Sequence, residues 1–398
     1  MTSLSVVIPA FNEEDGIAHI ASRVISVRER LAEMGIQELE LLIVDDGSHD
    51  ETAAKAESIE GATVIRHPTN LGYGAALKTG FAMSKGELVG FLDADGTYPP
   101  ERFPELCYEA LNGSDLVIGS RMGDAESQMP ITRRLGNFLF AGLLTVLGPQ
   151  RVTDSASGMR VFRREILERI YPLPDGLNLT PIMSVRALHE GIKIKEVPIP
   201  YAERVGHSKL SVVRDGSLFL RSIIWGVMGY NPVRILGMLG LAGVAASAMI
   251  GVGLVVIRLR GVTELTPAAV AVLYAALLLG VGGISLFSLG TTFNYLVSLF
   301  HKQPIRQGLF GPPVFKTPLE AQFGWMGLTM VIIGIVVAVG SLVLGMRGWQ
   351  VERLWLYLLG SAMFLLVGMQ MMVTWVLSRV LSELSEREIL TARDIELA

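Results

Sequence analysis

Asp93 and Asp95, in "FLDADGTYPPE" (91–101), stand two positions apart directly after an apolar run that begins at Leu88. Pro99 and Pro100 stop any continuation of a strand. Carboxylates set side by side repel one another unless a cation lies between them. A hard divalent ion meets that need, because Mg2+ takes oxygen ligands and keeps waters and substrate phosphates in its shell. A solvated acidic turn fits the same string, so the pair needs company before it implies a metal. A second acidic pair, Asp45 and Asp46, opens "DDGS" in "IVDDGSHDET" (43–52). Carboxylates there can accept hydrogen bonds from a base or a ribose, and Gly47 permits close approach of another backbone. In "VVIPAFNEE" (6–14), Pro9 ends the apolar run, and Asn12 and Glu13 stand where a helix would be capped. "HPTNLGYGAALKTG" (67–80) supplies a glycine-rich turn with Lys78 one helical turn beyond it. It is neither a P-loop, which needs a glycine before the lysine, nor a dinucleotide fingerprint, whose third glycine is Leu77 here.

These groups need elements to hold them. Apolar runs at 4–8, 39–44, 62–65, 88–92 and 116–118 have the length and β-branched content of buried parallel strands. Ile17, Ile20, Val24 and Leu31 recur at helical spacing between the first two. Further helices are expected at 51–58, 74–84, 101–111 and 163–171. Strand–helix alternation of this kind predicts an α/β domain with a mostly parallel sheet. Ligands of such sheets sit beyond the carboxyl ends of the strands, where both acidic pairs fall.

The chain has 398 residues, half of them apolar, with a net charge of −4 and one cysteine. The charge and the lack of a basic block speak against a nucleic-acid partner. A lone Cys107 excludes an intrachain disulfide and is expected to be a buried, inert thiol. The N-terminal segment lacks the basic start of a signal peptide, so the first domain is expected to stay in the cytoplasm. Crossing a bilayer takes about 20 apolar residues. Four segments qualify, at about 235–257, 268–296, 325–345 and 354–377, and make 235–378 an all-α membrane domain. With an even number of spans, Arg214, Arg221, Arg234, Lys302, Arg306, Lys316, Arg379, Arg387 and Arg393 share one side, against Arg258, Arg260, Arg347 and Arg353 on the other. The excess makes both termini cytoplasmic in a multi-pass inner-membrane protein, with 379–398 as a cytoplasmic tail. The join, 210–234, is apolar but broken by Arg214, Asp215 and Arg221. It suits a helix in the membrane interface with Trp225 at headgroup depth, or a plain packing helix. Small residues in "GVGGISLFSLG" (280–290) suit either contacts in a homo-oligomer or packing of the four spans in one chain.

Over residues 3–230 the order of "VVIPAFNEE", "VDDGS", "NLGYGAALKTGF", "DADGTYPPE", "GSR" and "SGMRVFRRE" resembles family 2 glycosyltransferases with the GT-A nucleotide-sugar fold. Within that family the chain resembles the polyprenyl-phosphate branch, which includes dolichol-phosphate mannose synthase. The membrane segments and "GHSKL" (206–210) point the same way. The resemblance makes 1–209 the GT-A catalytic domain. It implies that Pro9, Glu13 and Asp45, with Asp46 and Lys78 beside them, hold the nucleotide. It further implies that Asp93 and Asp95 bind Mg2+ or Mn2+ on the donor pyrophosphate, and that Arg204, Ser208 and Lys209 close on the diphosphate. His207 is expected to be a bystander in that loop. The branch can carry a glutamine where this chain has Thr97, which puts metal contact at that position in doubt.

For the acceptor, the resemblance implies Arg121 and Arg133 or Arg134 as phosphate-binding arginines, and Asp154 near the reacting centre. A phosphate with about −1.5 to −2 charges is already nucleophilic, so Asp154 is expected to position rather than to abstract a proton. Arginine's fork suits the phosphate. The implied activity is inverting transfer of one sugar from a UDP- or GDP-linked donor to undecaprenyl or dolichyl phosphate. A processive polysaccharide synthase shares the nucleotide motifs, but its Q-x-x-R-W string is absent. A membrane scaffold with an inactive nucleotide domain is the non-enzymatic alternative.

Overall fold

The structure, a computed structural model, describes residues 2–123, 129–148, 150–202, 211–262, 266–301 and 319–396. Arg204, His207, Ser208, Lys209, Lys302, Arg306 and Lys316 lie outside the described residues. The chain divides into two units, Met1–Val227 and Met228–Ala398.

The first unit is built on β1 (Thr2–Ala10), β2 (Ile36–Asp45), β3 (Ala62–Arg66), β4 (Leu88–Phe91), β5 (Leu116–Ser120), β6 (Arg160–Arg163) and β7 (Ile194–Pro198). They form one sheet in the order β3-β2-β1-β4-β6-β5-β7. Only β6 runs antiparallel to its neighbours, opposite both β4 and β5. The expected α/β class and mostly parallel GT-A sheet are therefore present.

Adjacent strand residues are buried on opposite faces, which is why the strands read as continuous apolar runs. Leu4, Val6 and Ile8 pack with α1 (Ile17–Ser26) and α5 (Phe103–Leu111) on one face. Val7, Leu42 and Val44 pack with α4 (Tyr73–Met83) and α8 (Leu179–His189) on the other. Cys107 lies in the first layer, and burial pushes its thiol well above the usual range, as expected of an inert core residue.

Several elements differ from the sequence expectation. The long helix anticipated after β1 breaks at Val27 into α1 and α2 (Arg28–Glu33). The helix expected at 51–58 is α3 (Thr52–Glu57). The one expected at 163–171 is present as a short 3-10 helix (Arg164–Ile166) running into α7 (Leu167–Ile170), with Arg163 taken as the last residue of β6. α6 (Ile131–Leu147), α8, β6 and β7 were not anticipated. α9 (Val212–Met228) follows; it buries Ile223 and Val227 and leaves Trp225 64% exposed.

The second unit holds α10 (Pro232–Leu259), α11 (Pro267–His301), α12 (Phe323–Met346) and α13 (Val351–Glu396). All four are long and apolar enough to cross a membrane. α13 runs on through the segment expected to be a separate tail. Gly283 answers part of the small-residue question: a Cβ there would lie 2.6 Å from the Gly240 carbonyl oxygen, so the glycine serves close packing of α10 on α11 within the chain.

Candidate active site

β1, β2 and β4 run parallel, and the order reverses around β1, so their carboxyl ends frame a crevice at the switch point. Asp45 ends β2, and Asp93 and Asp95 follow β4. Asp93 Oδ1 accepts a hydrogen bond from the Tyr73 hydroxyl at 2.7 Å. Its carboxylate lies against Gly158, where a Cβ would come within 2.4 Å of Oδ2. Asp95 is 8% exposed, and its Oδ1 accepts from Thr97 Oγ1 at 2.6 Å and from the Thr97 backbone N–H at 3.1 Å. No group of three or more His, Cys, Asp or Glu side chains able to hold a metal occurs among the described residues. The donor set is thus a pair of carboxylates, which fits Mg2+ or Mn2+ completed by water and substrate phosphate and does not fit an all-protein cage.

The neighbouring loops are stitched together mostly by the polar groups that the sequence singled out. Asp45, 3% exposed, accepts from the Ser48 N–H at 3.2 Å. Pro9 pairs in register with Val44. Asn12 is no helix cap: it has a φ of +50°, its N–H donates to Ser48 Oγ at 2.9 Å, and its Oδ1 accepts from the His49 N–H at 2.9 Å. Glu13 precedes α1, its carbonyl accepting from the Gly16 and Ile17 N–H groups at 3.1 and 3.0 Å, and its N–H donates to Thr52 Oγ1 at 2.8 Å.

Two residues expected on the donor side also bind within the fold. Asp46 accepts from the Leu71 N–H on Oδ1 at 2.9 Å and from the Gly72 N–H on Oδ2 at 2.8 Å, and His67 Nδ1 lies 2.7 Å from Oδ1. Both oxygens take part in holding the turn before α4. Lys78 points at the protein's own chain, donating to the Leu173 carbonyl at 3.0 Å and pairing with Asp175 at 2.5 Å. Gly47 is a related case. Its φ is +71°, and a Cβ would sit 2.6 Å from the Thr69 carbonyl carbon, so the close backbone is Thr69–Asn70.

A second polar cluster forms around Arg121, just beyond β5. Its Nε and Nη2 make a two-pronged pair with Asp154 at 2.7 and 2.8 Å, and its backbone N–H adds a third bond at 3.0 Å. The guanidinium lies 5.9 Å from the Tyr98 ring centroid and 5.5 Å from that of Tyr201. Asp154 is fully buried. Burial alone would raise its pKa, but the Arg121 charge and hydrogen bonds hold the carboxyl below the usual range. Glu196 on β7 fixes the same loop by accepting from the backbone N–H groups of Thr153 and Asp154 at 2.9 and 2.8 Å.

Arg133 joins the cluster through Tyr201, with Nη1 3.5 Å from the tyrosine oxygen. Arg134 is exposed on α6. A cavity of about 500 Å3 opens beside Thr97 and Tyr201, with Arg23, Gly96, Pro99 and Pro200 also in its wall.

Sequence reasoning missed Tyr73, Tyr98, Tyr201, Glu196 and Arg160. Arg160 is wholly buried and donates to the Ser157 and Ser155 carbonyls and to Ser184 Oγ at 3.1, 2.8 and 3.0 Å. Burial lowers its pKa to about 10. The available signal was a charged residue inside the apolar string "GMRVF", since arginine is almost never fully buried unless its donors are met.

Residues 5–171 match the profile of glycosyl transferase family 2, and 232–392 match a domain of unknown function, DUF8752. The dolichyl-phosphate hexose transferase of Haloferax volcanii is 33% identical over 56% of this chain and 92% of that protein. The undecaprenyl-phosphate 4-deoxy-4-formamido-L-arabinose transferase of Klebsiella pneumoniae is 28% identical over 80% of this chain and 95% of its own. Among solved structures, glucosyl-3-phosphoglycerate synthase from Mycobacterium tuberculosis aligns with a TM-score of 0.46 and 22% identity, over 57% of this chain and 80% of that one. The chain belongs to glycosyltransferase family 2.

Proposed function

We propose that this protein transfers a single sugar, with inversion, from a nucleotide sugar to a polyprenyl phosphate at the cytoplasmic face of the inner membrane. The observation that carries the reading is a carboxylate pair at the β4 end together with a buried Arg121–Asp154 ion pair set against two tyrosine rings, in a chain that continues into four apolar helices. Relatives that act on dolichyl and undecaprenyl phosphate support the acceptor class.

In this reading an oxygen of the lipid phosphate attacks the anomeric carbon as the bond to the nucleoside diphosphate breaks. The bonding electrons leave on the departing diphosphate. Asp93 and Asp95 would hold Mg2+ or Mn2+, which when bound neutralises charge on that leaving group. Pro9, Glu13 and Asp45 line the donor side. No protein base is required, because the phosphate is already ionised. Asp154 holds Arg121 against the Tyr98 and Tyr201 rings rather than taking a proton. Arg121 and Arg133 supply the positive field for the acceptor phosphate, and Arg204, Ser208 and Lys209 remain assigned to the donor diphosphate by resemblance.

α6 supports a membrane-surface location. It buries Asn137, Ala141 and Leu144 and exposes Ile131, Leu135, Phe138, Leu139 and Val146 on the far side. α9 meets it through Phe140 and Phe219, 6.0 Å between ring centroids, and exposes Val213, Leu220 and Trp225. Apolar faces of this kind suit the headgroup boundary.

The test is a transfer assay on detergent-purified protein, with labelled UDP- and GDP-sugars, undecaprenyl or dolichyl phosphate, and Mg2+ or Mn2+. Label should enter the organic phase from one donor. It should disappear with chelator, and Asp95→Asn should reduce it by about 10²–10³-fold. Nucleotide release without lipid labelling would refute the acceptor assignment, and near-normal turnover in Asp95→Asn would refute the metal pair. Arg133→Ala should raise KM for the lipid phosphate about tenfold or more with little change for the donor, as expected for one charged hydrogen bond. Arg134→Ala should stay close to wild type; the opposite ranking would exchange the two arginines.

A further inference from the structure

Each aspartate after β4 is held by a hydroxyl from a different part of the fold. Tyr73, the first residue of α4, donates to Asp93 Oδ1 at 2.7 Å. Thr97, in the turn beyond Asp95, donates to Asp95 Oδ1 at 2.6 Å. Thr97 is 1% exposed. Its short side chain reaches back to its own loop, at the position where the resemblance allowed a glutamine.

A carboxylate can turn about its Cβ–Cγ bond, and a donor locked onto one oxygen selects one orientation. Gly158 supports the same orientation from behind Asp93, since no side chain separates its backbone from the carboxylate. Thus one oxygen of each acid is committed to the protein by a group whose own position is set by packing. Groups of this kind, one shell out from a metal, typically alter its affinity 10–100-fold.

We propose that Tyr73 and Thr97 are positioning residues whose hydroxyls set the orientation in which Asp93 and Asp95 meet a divalent cation, and hence the cation affinity of the pair. The inference rests on the metal reading given above. It assigns Thr97 to orienting a ligand and not to ligation.

The experiment is Mn2+ titration of the detergent-purified full chain, followed by electron paramagnetic resonance of free Mn2+, with UDP and separately GDP present and no sugar donor. Wild type should bind, and Asp93→Asn should not. Tyr73→Phe and Thr97→Val should each weaken binding about tenfold or more. Thr97→Ser, which keeps the hydroxyl, should bind within about twofold of wild type, an outcome that lost packing alone would not produce. Thermal midpoints are read in parallel, and the Val–Ser comparison at Thr97 decides the matter if Tyr73→Phe fails to fold. Wild-type affinity in Tyr73→Phe and Thr97→Val, with Asp93→Asn inactive in binding, overturns the positioning role and leaves the metal pair standing. Mn2+ binding that is absent from wild type, or unchanged in Asp93→Asn, overturns the metal reading and this inference with it.

Discussion

Gly158→Ala should lower transfer by about a hundredfold or more while leaving the protein folded. An added Cβ would sit 2.4 Å from Asp93 Oδ2 and 2.7 Å from Oδ1, well inside van der Waals contact. The obstructing atoms are the end of a side chain, so Asp93 can swing aside and the backbone need not move. The cost to stability should therefore remain near the ordinary range for a single substitution, about 1 kcal/mol. Function has no such freedom. A carboxylate displaced from its place by about 1 Å loses its alignment, and misplacement on that scale typically costs about 10² in rate. Rate and thermal midpoint, measured on the same preparation, test the claim. Wild-type turnover in Gly158→Ala would mean that Asp93 does not need the orientation seen here.

Asp154→Asn should have the second large effect, and it should appear in stability first. The substitution keeps the shape of the side chain but leaves Arg121, whose side chain is 10% exposed, without its counter-ion. Arg160 lies buried nearby and adds a second positive charge. Breaking a buried ion pair by removing one partner costs about 3–5 kcal/mol.

The pH dependence follows from the depressed pKa of Asp154. Its contribution is fully present above the ordinary carboxyl value of 3.8 and is lost as pH falls through the lower, folded value. The gap in thermal midpoint between wild type and Asp154→Asn should thus be constant from neutral pH down to about 5 and narrow below about 4. A gap that instead opens or closes between about pH 5 and 8 would contradict a pair ionised throughout that window. The pH–rate profile separates the two roles considered for this residue. A positioning Asp154 leaves the profile's shape unchanged in the variant that still turns over, whereas a general base would remove one ionisation from it.

Much of this architecture is written in short-range patterns. The β-branched runs at 4–8 and 88–92 mark strands, and four apolar stretches mark helices of membrane-crossing length, because burial of a continuous run needs only local composition. "DADGT" at the end of such a run announces clustered charge for the same reason. β6 and β7 escaped notice because β6 is short and carries Arg160 and Arg163, and β7 is short and sets Lys195 and Glu196 side by side in its middle. Of the helix read at 163–171, tertiary pairing drew only Arg163 into a strand.

The division is sharpest for the polar residues. Residue type and place on the chain show that Asp46, Lys78, Asn12, Asp154 and Arg121 can donate, accept or carry charge. They do not show with whom. Asp46 binds the turn 25 and 26 residues away, Lys78 meets a carbonyl 95 residues on, and Arg121 closes on Asp154 at a separation of 33. A hydrogen bond depends on a few tenths of an ångström and on direction, and both arise only when distant segments are packed against one another. The sequence alone therefore specified most of the elements and the chemical repertoire at the strand ends, and folding decided which partner each of those groups meets.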